Sequence, residues 1–350
     1  MSANKRLFWL DFVRSISVLM IIVYHYRSQY LYQYPNTRVA GSIGVLHIGF
    51  GDLGVALFIM ISGAALMITY PGKIDLADYL KKRFLSIYPG FWVAFIAASI
   101  FCLILNKHLN DTGEYWKLLF SVAAMDGFFL YKTSNYYVIG EWFLGFIIFL
   151  YLLFPLVRPV VQRYPLLALL IVPAVYLVAL PIYNAQHFEL IDQRNPLMRL
   201  PELVFGMMFV RFGLSHKKWL VVLAALAIAW LELFPISVSP LFYMFLIGAI
   251  FFCLFAAGAE LLPVTPRLES AVGFISKYSF LAFLIHHQII YAFFGRLDLT
   301  RASVLESYAL CALIIVLSFA GAVVLQPLAK KVADVLRAAL YRQPATRTAT

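Results

Sequence analysis

Charged side chains are scarce in this chain: Asp, Glu, Lys and Arg make up 13% of its 350 residues. An ordinary soluble domain carries about 25%. Cysteine is nearly absent. Cys102, Cys253 and Cys311 each sit inside an apolar run, with no CxxC pair and no histidine nearby. Neither a disulfide framework nor a metal site is expected from them. The shortage of polar side chain excludes a soluble enzyme, a disordered chain and a nucleic-acid module, because too little is left to face water. In its place stands 63% hydrophobic and 17% aromatic residue, with a mean hydropathy of +0.85. The chain reads as an all-α membrane protein. In that setting the net charge of +11 belongs to cytoplasmic loops, which collect Lys and Arg, and not to a nucleic-acid face.

A helix crossing the hydrocarbon core needs about 20 mostly apolar residues. That window predicts a bundle of about ten transmembrane helices, at 7–26, 48–70, 88–106, 141–157, 166–183, 198–212, 218–234, 239–260, 274–294 and 304–326. The segment 115–132 is interrupted by Asp126, Gly127 and Lys132 and is expected to be interfacial or re-entrant. The first span is not read as a cleaved signal peptide, since Asp11 and Arg14 break its apolar run and no small-residue cleavage site follows. Ten spans put both termini on one side. Lys5, Arg6, Lys73, Lys81, Lys82, Arg83, Arg158, Arg163, Lys217, Lys218, Arg267 and the basic residues after Lys330 all fall there, so both ends are expected in the cytoplasm. The expected division is a membrane domain over 1–330 and a basic cytoplasmic tail over 331–350.

Charges within spans cost at least ~2.5–3.5 kcal/mol each and need a reason. Arg14 and His25 are eleven residues apart, three helical turns plus about 20°, so they share a face of the first helix, about 16 Å apart along its axis. Asp11, three residues before Arg14, can pair with it. Arg199 and Glu202 repeat that spacing in the sixth span. His286 and His287 lie deep in the ninth, and Glu141 opens the fourth beside Trp142. Glu232 and Glu260 fit a structural or cavity-lining role. A deep imidazole suits general-base work near neutral pH, and a buried guanidinium suits an anionic or carbonyl-bearing substrate. Carriers use the same groups, so these residues alone leave enzyme and transporter open.

Six stretches, in order, resemble the acyltransferase-3 family of multi-spanning bacterial acyltransferases. They are LDFVRSISVLMIIVYH (10–25), GVALFIMISGAAL (54–66), KKRFLSIYPGFW (81–92), EWFLGFIIFLYLLFPL (141–156), NPLMRLPELVFGMMF (195–209) and KYSFLAFLIHHQII (277–290). Two departures stand out. The family's R-x-x-R element has Ser86 at its second position, and FIIFLY stands in place of its paired-glutamate motif; the WFL start (142–144) and the SGAAL stretch (62–66) resemble the sugar-acetylating branch that lacks those glutamates.

The resemblance implies transfer of an acyl group, usually acetyl from acetyl-CoA as co-substrate, to a hydroxyl of a glycan, exopolysaccharide or lipid-linked sugar. His25 matches the family's essential histidine, Arg14 its arginine and Arg83 the first arginine of the basic element. Asp11 joins the catalytic set through Arg14. Lys81 and Lys82, beside Arg83, are expected near the CoA phosphates, and no permanently bound cofactor is implied. Arg14 and Ser62 are candidate oxyanion donors, and Glu141, Arg199, Glu202 and His286 candidate lining of the acceptor path. Tyr30, Tyr32, Tyr34, Tyr136 and Tyr137 are placed in outer loops, as sugar platforms or as belt residues. The expected partners are the bilayer of a bacterial inner membrane, the glycan acceptor, and a second copy of the chain or a polysaccharide-synthesis complex. A glycan carrier or flippase is the alternative, though no internal repeat supports it, and a non-catalytic export subunit leaves the Arg14–His25 face without a purpose.

Overall fold

The computed structural model describes residues 7–35, 44–107 and 114–341. Lys5, Arg6, Arg342 and Arg347, which enter the charge argument, lie outside the described residues. Among the described residues ten helices carry the chain back and forth: α1 Phe8–Gln33, α2 Phe50–Thr69, α3 Leu76–Asn106, α4 Glu141–Arg163, α5 Pro165–Ala185, α6 Leu200–Arg211, α7 Trp219–Leu233, α8 Pro240–Ala259, α9 Pro266–Phe294 and α10 Val304–Leu340. Eight are long and apolar enough to cross a membrane. The other two, α6 and α7, correspond to the short apolar runs at 198–212 and 218–234. The protein is a helical polytopic bundle.

Several helices outrun their apolar windows because the extra turns are polar. The third begins at Leu76, twelve residues before the expected start at 88, so Lys81, Lys82 and Arg83 stand on helix and not in a loop. Its start is fixed by Asp75, whose side chain accepts from the Asp78 amide. The ninth starts at Pro266 behind a Thr265 cap, and the tenth starts with a Ser303–Glu306 capping box. That last helix passes through Lys330, the expected domain boundary, without a break and ends at Leu340. Within α5 a π-helical stretch, Ala174–Ala179, follows Pro173, where a missing backbone N–H has already disturbed the ladder.

Cross-helix contacts order the bundle. The central helix, α1, packs against α2, α8 and α9. It runs parallel to α9, with Arg14 bonded to Ser276 near one end, His25 to His286 further along, and Gln33 to the Phe294 carbonyl at the other. Tyr26 reaches Ser307 at the start of α10, and Tyr341 past its end reaches Asp78 at the start of α3. Hence Leu7 and Leu340 lie at one end of the bundle, here called proximal, and the starts of α2, α4 and α10 lie at the distal end. Where α2 meets α6 the backbones touch. A Cβ at Gly63 would overlap the Leu203 carbonyl oxygen, and one at Gly206 the Met60 carbonyl oxygen. Small residues at such crossings are how membrane helices gain close packing without a hydrophobic driving force.

The 115–132 segment forms short turns, with helical pieces at Leu118–Val122 and Asp126–Phe129. It is tied to α3 by Trp92 and Tyr88, which donate to the carbonyls of Val122 and Ala123. Asp126 is 1% exposed; Ser121 donates to its Oδ1 and Oδ2 has no partner, so burial pushes its carboxyl up to about 6.

Candidate active site

Near the proximal end, Asp11 and Arg14 do not simply pair with each other. Their direct contact is long, 3.6 Å, and Ser276 of α9 bridges them, donating to Asp11 Oδ1 at 2.5 Å and accepting from Arg14 Nη1 at 3.1 Å. Asp11 therefore positions Arg14 through Ser276. The guanidinium lines a cavity of about 390 Å³ whose walls also include Ser62, Arg83, Tyr151, Ser276 and Ser279. Arg83 is enclosed by aromatic faces, its guanidinium carbon 5.7–5.9 Å from the ring centres of Tyr70, Tyr79 and Tyr151. Its Nε is buried without a hydrogen-bond partner.

Lys81 and Lys82 are turned elsewhere. Lys81 sits over the Tyr341 ring at 5.1 Å, Lys82 pairs with Asp78 at 2.7 Å, and neither lines that cavity. Consecutive helical residues are rotated by about 100°, so one run of three basic side chains cannot all face inward. Ser86, in the place of a second arginine, does line the cavity.

The cavity rises to Phe143 and Phe283, whose rings meet edge to face at 5.8 Å, and neither His25 nor His286 lines it. Above this aromatic pair lies the second polar cluster. His25 Nδ1 is 2.9 Å from His286 Nε2, and His286 Nδ1 is 2.6 Å from the Phe283 carbonyl. A carbonyl only accepts, so in the neutral ring His286 Nδ1 carries the proton and its Nε2 presents a lone pair. His25 must then donate from Nδ1, which leaves its own Nε2 unprotonated. His287 completes the group, its ring centre 4.3 Å from that of His25. Its Nδ1 is 3.0 Å from the Tyr291 hydroxyl, and its Nε2 touches Glu141 Oε1.

Glu141 is held in place against local preference. It opens α4 with φ +48°, directly after Gly140 at φ +96°. A left-handed non-glycine residue costs on the order of 1–3 kcal/mol and persists where the surroundings impose it. The brace is Gly127, whose missing side chain lets the Asp126–Phe129 turn lie against the Glu141 backbone.

The structure thus brings His25, His286 and Glu141 together and adds His287, which the sequence offers only as the neighbour of His286. It groups Arg14, Ser62 and Arg83 in the proximal cavity. The roughly 16 Å of helix between Arg14 and His25 puts Arg14 out of reach of an oxyanion formed at His25. Arg199 and Glu202 join neither group. They form a two-pronged pair at 2.5 and 2.7 Å, 1% and 0% exposed, with Arg199 also donating to the Gln193 carbonyl. Both partners are sealed from solvent, with Asp52 of α2 within electrostatic reach of Arg199. Glu232 lines a second, open cavity of about 670 Å³ at the distal end, with Tyr24, His47 and Asp52. Tyr24 in turn contacts the His25 ring at 5.5 Å. Of the tyrosines expected in loops, Tyr30 and Tyr32 stand on α1; Tyr30 is fully buried and bonded to the Leu299 carbonyl, while Tyr32 is exposed.

No curated protein and no solved structure matches the chain. A family model described as an acyltransferase domain does match, over residues 7–325, which takes in all ten helices except the last turns of α10. Together with the apolar helices, that match places the chain in the acyltransferase-3 family as a multi-pass membrane acyltransferase.

Proposed function

We propose that this protein transfers an acyl group, acetyl first among them, from acyl-CoA to a hydroxyl of a glycan, exopolysaccharide or lipid-linked sugar. Its setting is the bacterial inner membrane, with the proximal end facing the cytoplasm. The observation that carries this reading is the oriented pair of histidines. The Phe283 carbonyl fixes His286, His286 fixes His25, and His25 is left with a lone pair on Nε2, the state a general base needs. The basic loops gathered at the proximal end support the orientation.

In this mechanism the donor enters from the proximal side. Arg83, caged by rings and with an unpartnered Nε, holds a phosphate, and Arg14 guides the pantetheine arm upward past Ser62. The acceptor approaches through the distal cavity beside Tyr24. His25 Nε2 takes the proton of the acceptor hydroxyl as that oxygen attacks the thioester carbon. The tetrahedral intermediate then expels the CoA thiolate, which recovers the proton from His25. Glu141, beside His287, favours the positive charge that His25 acquires in between.

The test is release of free CoA thiol from acetyl-CoA by purified protein in nanodiscs, with a crude extract of host glycans as acceptor. Acceptor-dependent release that disappears in His25→Ala and falls in Arg14→Ala is the expected result, with the acceptor then found by its added acetyl mass. Well-folded protein that neither releases CoA nor binds it would overturn the assignment in favour of a carrier.

A further inference from the structure

Three imidazoles converge at the distal end from helices α1 and α9, and acyl transfer as written uses the lone pair of only one of them. One ring nitrogen from each of His25, His286 and His287 lies within 4.8 Å of the other two. His286 is anchored through Nδ1 to the Phe283 carbonyl, the outer contact that orients a metal-binding imidazole and aims its Nε2 inward. The Nε2 of His287 is buried and in direct contact with Glu141 Oε1. A carboxylate oxygen beside an imidazole nitrogen offers two donors that, once they part by about an ångström, one cation can take together. The side chains of His287 and Glu141 keep 15% and 18% exposure, enough for an ion to arrive from the distal side.

Nitrogen and oxygen donors in this number suit a tetrahedral ion of the zinc class, with bonds of about 2.0–2.1 Å and neighbouring donors about 3.3 Å apart. The His25–His286 pair, at 2.9 Å, must open by about 0.4 Å, and the widest pair must close by about 1.5 Å. Side-chain rotation of His287 supplies that.

We propose that His25, His286 and His287, with Glu141 as fourth ligand, form a binding site for a divalent ion of the zinc class, and that the bound ion silences His25. The second half rests on the acyl-transfer reading. On binding, His25 Nδ1 becomes a ligand and its proton moves to Nε2. All three rings stay neutral, no proton is released overall, and Glu141 supplies negative charge to the ion. The Nε2 lone pair that would accept the hydroxyl proton is then gone.

Purified protein in nanodiscs, stripped with EDTA, is titrated with Zn2+ by calorimetry and with Co2+ by visible absorption. One equivalent of Zn2+ is expected, with the intense visible bands of tetrahedral Co2+. His286→Ala and the more conservative His287→Asn should each weaken binding at least tenfold while eluting as monodisperse protein. Absence of saturable Zn2+ binding, or binding unchanged in both variants, would overturn the site. In the same preparation CoA release should fall in proportion to Zn2+ occupancy and return with EDTA. Full-rate transfer by zinc-loaded protein would overturn the silencing. Saturable zinc binding without any transfer by stripped protein would refute the acyl-transfer reading and leave the metal site standing.

Discussion

His286→Phe keeps a planar ring in the bundle but deletes the acceptor that His25 Nδ1 uses at 2.9 Å. Two effects follow. The bond lost is worth about 1–1.5 kcal/mol net, and 1.4 kcal/mol is a factor of ten. With it goes the preference for the tautomer that leaves Nε2 free. The His25 N–H left without a partner adds a desolvation cost of about 1–3 kcal/mol, which the ring can escape by turning away from the reacting position. Together these predict a fall in kcat of roughly ten- to a hundredfold. The KM for acyl-CoA should not move, since His286 does not line the proximal cavity. His286→Gln, whose amide oxygen can accept in place of Nε2, should recover part of the loss. The assay is CoA release in nanodiscs with EDTA present throughout. A His286→Phe protein with wild-type kcat would refute the orienting role, as would a defect confined to KM.

Arg83→Ala should raise the KM for acyl-CoA at least tenfold, the loss of a charge-assisted hydrogen bond worth about 1.5–3 kcal/mol, whereas Lys81→Ala and Lys82→Ala, both turned out of the cavity, should change it less than about twofold. Arg199→Ala leaves Glu202 buried and unpaired, so stability should drop by about 3–5 kcal/mol. Arg199→Met with Glu202→Leu should restore most of the thermal midpoint and keep acyl transfer; a refolded but dead double variant would point to a substrate role. Asp126 has its folded value raised from 3.8 to about 6. The unfolded chain therefore gives up this proton first, and stability should decline by about 3 kcal/mol as pH rises from roughly 4 through 6. Asp126→Asn should flatten that slope in a melting series, and an unchanged slope would mean the buried carboxyl is not its origin.

The spans were readable because hydrocarbon thickness imposes a fixed length of apolar residue, and the motifs because six of them occur in order. What hydropathy could not mark was the polar continuation of α3, α9 and α10, since turns beyond the apolar layer carry ordinary surface composition. Helical spacing correctly set Arg14 and His25 on one face. It says nothing about which distant helix that face meets, so the contact between His25 and His286, 261 positions apart, was not legible. The same gap left His287 unassigned and grouped Lys81 and Lys82 with Arg83, although neither lines the cavity that Arg83 lines. The Arg199–Glu202 spacing was legible as a pair, but its complete burial depends on how α6 lies against α2. Glu141 was visible as a charge at the head of α4. The left-handed backbone that aims it was foreshadowed only by the preceding glycine.

The edge-to-face contact of Phe143 and Phe283 walls the proximal cavity on the side of the histidine cluster. An enzyme that takes its donor from one compartment and its acceptor from the other is also a hole through the bilayer, unless something closes it between turnovers. Under the proposed reaction these two rings would serve as a valve. Closed, they would keep water from the distal side away from a waiting thioester and deny protons and ions a continuous wet path. An acyl group passing between them would replace the contact it breaks with its own apolar surface. Such a seal would stay dry while it is open.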